Sequence, residues 1–180
     1  MSETALSVRT AALLDARAAA LAGRTIDQAP AAAVTAFLVC ACGPERYGLP
    51  LAAVAGVTPE RPCTALPGAP ATFRGIAATA GVIVSVLDLS ACLGLDGAGG
   101  ASGHFVRLRG PDPPVVLAVD RVVGIAQIEA AALHSDPSEA QALGGRPLLG
   151  YAPPGSDRTG DVRDGFAILD LPALLARFLA

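Results

Sequence analysis

The apolar positions of this chain change rhythm near residue 35. Before that point Leu13, Leu14, Ala18 and Leu21 recur at helical spacing around Arg17, and Gly23 can end the helix. Residues 1–34 are therefore expected to form a helical arm and a linker, the linker running over Gln28–Ala33. From Phe37 onward the apolar residues come in short runs: Phe37–Gly43, Glu45–Leu51, Val54–Val57, Gly81–Leu89, His104–Gly110, Pro114–Asp120, Arg121–Ile125 and Gly165–Leu171. Gly, Pro, Asp and Arg separate them. Short runs bounded by turn residues predict the strands of a barrel or sandwich, an all-β fold over residues 35–180. Only brief helices fit between them. Asp88 is placed to cap one over Leu89–Leu93, and Asp170 another reaching Phe178, with Pro172 tolerated in its first turn.

The runs repeat. Phe37–Val57 lies over Phe105–Ile125 without a gap at an offset of 68, so that Phe37 meets Phe105, Leu49 meets Leu117, and Gly56 meets Gly124. Arg74–Ala77 then resembles Leu149–Ala152 at offset 75, and Val86–Leu93 resembles Ile168–Leu175 at offset 82. Offsets that rise in order are those of one duplicated unit with insertions in the second copy. The copies span about 37–93 and 105–178, and each reads strand, turn, strand, long connection, hairpin, capped helix. Two copies of this length make a pair of similar subdomains rather than a solenoid.

Composition narrows the function. Hydrophobic residues make up 52% of the chain and charged residues only 16%, so much of the surface is Ala, Gly and small polar residues. Such surfaces hold neighbours through apolar patches. The net charge of −3, the absence of a Lys/Arg cluster and the 4% aromatic content argue against nucleic acid. Charges and prolines interrupt every apolar stretch before it reaches the length of a membrane span, and Glu3, Asp15 and Arg17 do not suit a signal peptide. A cytoplasmic protein with no direct membrane insertion is the expectation. Cys40, Cys42, Cys63 and Cys92 then read as small buried hydrophobes, with Cys40 and Cys42 on one strand face.

Catalytic chemistry finds no foothold. Ser85 and Ser90 lack a neighbouring His, and no nucleophile elbow is present. His104 and His134 sit apart and read as solvated turn histidines. Asp88 and Asp170 are explained by capping. Asp120 ends an apolar strand as in nucleotide-binding folds, but no glycine-rich loop leads into a helix before it. The glycine-rich stretch Gly94–Gly103 lacks the Lys-Ser/Thr of a phosphate loop and reads as a flexible turn. No cofactor or metal is expected, because the Cys and His spacing fits no familiar site. A small-molecule-binding double barrel is the alternative to a protein-binding module.

Taken in order, the residues are similar to CheW-like domains. The resemblance is carried by Phe37–Val39, Tyr47–Leu51, Val54–Val57, Leu66–Pro70, Phe73–Ile76, Gly81–Leu89, Leu117–Asp120, Leu148–Gly150 and Ile168–Leu171. It covers about 37–180 and implies two packed five-stranded SH3-like barrels. It also implies a non-enzymatic adaptor between the cytoplasmic tips of methyl-accepting chemoreceptors and the regulatory domain of a CheA-type histidine kinase. By position, Val54, Gly56, Val57, Gly75, Ala80 and Gly81 fall in the implied receptor- or kinase-facing region. Gly75 would allow close backbone approach there. The chain departs from the family pattern at Gly56, where an acid is common, at Ala80, where an Arg is common, and at Ser90, where another Arg is usual. Loss of both the acid and the Arg leaves no unpaired charge behind, so the fold is expected to survive.

Overall fold

The computed structural model describes residues 33–95, 103–134 and 145–178. The helical arm expected over 1–34 lies, apart from its last two residues, outside the described residues, as does most of the glycine-rich stretch. Ten strands run in chain order: β1 (Val34–Cys42), β2 (Glu45–Pro50), β3 (Val54–Pro59), β4 (Phe73–Thr79), β5 (Val82–Asp88), β6 (His104–Leu108), β7 (Val115–Val119), β8 (Arg121–Glu129), β9 (Leu148–Ala152) and β10 (Phe166–Leu169). Two short helices follow the hairpins, α1 (Leu89–Cys92) and α2 (Leu171–Ala176). Both start as their sequences dictate. The Asp88 carboxylate accepts from the Ala91 N–H and the Asp170 carboxylate from the Ala173 N–H, each at 3.0 Å, and Pro172 sits in the first turn of α2.

The strands form two five-stranded sheets. Barrel A has the order β8-β1-β2-β10-β9 and barrel B the order β3-β6-β7-β5-β4. Each closes through one antiparallel bridge. His134 and Tyr151 exchange backbone hydrogen bonds of 3.0 and 2.8 Å in barrel A, and Thr64 and Ile76 exchange bonds of 2.8 and 3.0 Å in barrel B. The two orders become identical when β1–β5 are replaced by β6–β10 and the reverse. The strand trade between copies adds what the repeat alone does not contain. Barrel A joins β1 and β2 of the first copy to β8, β9 and β10 of the second, and barrel B makes the reciprocal combination. Four ladders, β1/β8, β2/β10, β3/β6 and β5/β7, run between copies.

Alternation along the strands feeds three cores. Phe37, Val39, Ala126, Ile128 and Phe166 fill barrel A, and Val84, Val86, Phe105 and Val116 fill barrel B. The largest core lies on the other face of both sheets and includes Leu38, Cys40, Leu49, Leu87, Val106, Leu117, Leu169 and Leu174. Strands buried on both faces read as unbroken apolar runs, which is why Val115–Val119 shows no polar alternation. Cys40 and Cys42 both point into this shared core, and Cys40, Cys42 and Cys92 are buried free thiols. Asp120, at the end of β7, accepts from the Gly43 N–H at 2.6 Å and fixes the turn between β1 and β2. His104 does not lie in the solvated turn expected from the sequence. It opens β6, opposite Pro59 and Val119, and is half-buried.

Candidate functional site

The six residues singled out from the sequence all lie on barrel B. Val54, Gly56 and Val57 belong to β3, Gly75 to β4, and Ala80 and Gly81 make the two-residue turn between β4 and β5. β3 and β4 are the two ends of the sheet order and meet through the segment after β3, at the Thr64–Ile76 bridge. The residues divide into two groups by accessibility. Val54 is buried in the shared core, and Gly75 is buried at the bridge. A Cβ on Gly75, whose φ is 133°, would run into the Thr64 carbonyl and come within 2.7 Å of its carbon. The missing side chain at Gly75 is what lets the barrel close. Val57 (39% exposed), Ala80 and Gly81 face solvent, and Gly56 has no atom within 4 Å of its Cβ direction.

The tip of this hairpin is apolar and strained. Ala80 has φ +50° and Gly81 φ +78°, the left-handed pair that a two-residue hairpin turn requires. Ala78, Val82 and Ile83 around it are exposed, Ile83 at 68%. Of the charges on barrel B, Arg74 is tied to its neighbours. Arg74 bonds Glu60 at 2.5 Å and lies 3.9 Å from the Asp88 carboxylate. Together with Pro59, Arg61, Pro62, Cys63 and Gly103, Glu60 and Arg74 line an open cleft of about 570 Å³.

The equivalent face of barrel A is covered by the chain itself. The hairpin loop between β9 and β10 is eleven residues longer than its counterpart between β4 and β5, and it folds back over β8. Val162 enters the barrel A core and lies 3.6 Å from the Cβ direction of Gly124. Asp157 is buried beside it. Its carboxylate accepts from Gln127 N (2.8 Å), Thr159 N (3.1 Å), Thr159 Oγ1 (2.7 Å) and Val162 N (3.0 Å). Burial alone would raise its pKa, but these four donors outweigh burial and bring it down to about 2. The Arg158 N–H bonds the Gln127 carbonyl at 3.0 Å and its side chain bonds Glu129 at 3.1 Å, so the β8 edge is sealed at Gln127. In barrel B the position matching Gln127 is Pro59, which has no N–H to seal. A Glu60 N–H to Gly103 carbonyl bond of 2.9 Å sets the alternation of the β3/β6 ladder and turns the main-chain groups of Val57 outward, away from β6.

Sequence reasoning overlooked Asp157, and it overlooked the polar residues at the mouth of barrel B. A signal for the latter was present. The first offset lays Arg107 over Val39 and Thr58 over Ala126, polar residues at positions that point into the barrel in the other copy. The thiols show no sign of reactivity. Burial pushes Cys40 and Cys92 up to about 12 and Cys42 up to about 11, with neighbouring charges a smaller contribution. Among the described residues no cluster of His, Cys, Asp and Glu is arranged to hold a metal ion, and no helix is long and apolar enough to cross a membrane.

Two interleaved barrels, one sealed by its own loop and the other presenting an open edge and an apolar hairpin tip, define a double-barrel recognition module. The CheW-like domain family model matches residues 36–178, and the chain belongs to that family. Among solved structures, the crystal structure of the scaffolding protein TtCheW from Thermoanaerobacter tengcongensis superimposes with a TM-score of 0.67 at 21% identity, over 79% of this chain and 93% of that one. No curated protein matches the sequence.

Proposed function

We propose that this protein is a non-enzymatic adaptor that joins the cytoplasmic tips of methyl-accepting chemoreceptors to the regulatory domain of a CheA-type histidine kinase. The observation that carries the reading is the match to the CheW-like family over nearly the whole barrel region. Chemosensory scaffolding follows from the family. The members of the candidate set that are not buried, Gly56, Val57, Ala80 and Gly81, are the contact residues in this reading. Val54 and Gly75 act beneath them by holding β3 and the barrel closure in place. Apolar side chains around small residues admit a helix or another barrel to close range, and they give affinity with little desolvation cost. The work is done in the cytoplasm, beside the receptor array.

The test is retention of a receptor-tip fragment and of the kinase regulatory domain by the immobilised protein. Both are retained by the parent chain, and Val57→Asp, which puts a charge on an exposed site, weakens at least one of them tenfold or more while the far-ultraviolet dichroism is unchanged. Retention of neither partner by the parent chain overturns the proposal.

A further inference from the structure

The mouths of the two barrels are built from matching positions but opposite chemistry. In barrel A the pair Val39 and Gly124 stand opposite each other, with Ala126 beside them, and Val162 closes over them. In barrel B the same places are held by Arg107, Gly56 and Thr58. Arg107 is paired in register with Val116, a core residue of barrel B, so it stands on the inward face at the end of β6. It is half-buried, and among the described residues it makes no hydrogen bond or ion pair. Two hydroxyls on the same inward face also lack partners. Thr58 stands opposite Phe105 of the barrel core, and its buried Oγ1 has no hydrogen bond. Thr79 follows Ala77 on the core face of β4, is only 5% exposed, and its Oγ1 is likewise unpartnered. Val82, opposite Thr79, supplies an exposed apolar rim. Buried polar groups ordinarily find partners, so a cation and two idle hydroxyls on the inward face of one barrel call for an acceptor.

We propose that the mouth of barrel B is a docking site for a carboxylate-bearing segment of a partner protein, anchored by Arg107, with Gly56 as the seat of an adjacent small apolar residue. The proposal rests on reading the chain as a recognition module and names the chemistry of what that module takes. A guanidinium meets a carboxylate with two parallel N–H bonds, and the threonine hydroxyls donate to the same oxygens. The occupant is a peptide segment rather than a free acid because in barrel A a loop of the chain already places Val162 over the matching glycine, Gly124. The carboxylate is read from Arg107, which stands where barrel A has Val39. The Val162 loop of a second copy is not that segment, since it is already held on its own barrel A.

The test is a nuclear magnetic resonance titration of the full chain with a blocked Asp-Val-Glu tripeptide, its Asn-Val-Gln counterpart, and acetate at matched carboxylate concentration. The expected result is a saturable shift of the Arg107 Nε–Hε and of the Gly56 and Thr79 amides with the acidic peptide only. Arg107→Gln weakens it at least tenfold. Gly56→Val, which fills the open seat, abolishes it, and the Tyr47 and Gln127 amides report an intact fold. No shift at the mouth, an equal titration in Arg107→Gln, equal response to acetate, or shifts that track protein concentration alone would each overturn it. The titration uses neither receptor nor kinase, so its outcome is separable from that of the adaptor assay.

Discussion

Replacing Asp157 by Ala tests whether the loop over barrel A is held by charge. The carboxyl moves from an ordinary value of 3.8 to about 2 because four donors converge on it in a buried site. A fall of nearly two pKa units corresponds to about 2.5 kcal/mol of stability at neutral pH. The sign follows from the direction of the shift. A depressed carboxyl contributes in full above its unfolded value, near 4, and its contribution disappears as the pH falls through its folded value, near 2. At pH 3 about half of the stabilisation remains. Urea denaturation of parent and Asp157→Ala at pH 7 and at pH 3 gives the two differences. The expectation is about 2–3 kcal/mol at pH 7, shrinking by about 1.3 kcal/mol at pH 3. Asp157→Asn keeps the volume but turns an amide toward N–H donors, so it behaves like Ala rather than like the parent. A difference that stays constant between the two pH values, or one below about 0.5 kcal/mol at pH 7, refutes the reasoning.

Other substitutions probe the turn, the closure and the thiols. Ala80→Asn creates the Asn-Gly pair that suits φ values of +50° and +78°, and raises stability by about 0.5–1 kcal/mol, read as a higher urea midpoint with unchanged slope. Gly75→Ala forces a side chain into the Thr64 backbone and costs about 3 kcal/mol or more, with faster amide exchange at Ile76; Gly56→Ala, in open space, stays within about 0.5 kcal/mol of the parent. A disulfide reagent at pH 8 leaves Cys40, Cys42 and Cys92 unlabelled in the native protein and reaches all four cysteines in denaturant, because burial holds those three thiols far above that pH.

Much of the architecture could be read from residue order. The runs at Phe37–Gly43 and Pro114–Asp120 became strands, and the carboxylates at Asp88 and Asp170 became caps. The exchange between copies could not be read. An offset says which segments are alike, and edge-to-edge pairing of β1 with β8 leaves no local mark in either strand. Burial on both faces also erased the alternation that would have shown which side of β7 meets which core. The site was legible to a lesser extent. Family position led to Gly56, Val57 and Ala80, but whether a residue faces outward or braces the barrel depends on bulges. Register shifts between Val54 and Gly56 and between Phe73 and Gly75 are tertiary events with no signature beyond a glycine. Asp157 was hidden for a related reason, since its donors come both from its own loop and from Gln127, thirty residues earlier on β8.

The traded strands have a consequence for how the chain acquires its shape. β2 pairs with β10, so barrel A stays unfinished until residues near Leu169 leave the ribosome, and β3 waits for β6. Neither repeat can mature as a unit, and a break anywhere between them strands sets of edges that only the other fragment can pair. Two separately made fragments, 33–95 and 103–178, are thus each incompetent yet mutually rescuing. The same logic describes a lone ancestral repeat, which would have needed a twin to complete its sheets before one chain came to carry both.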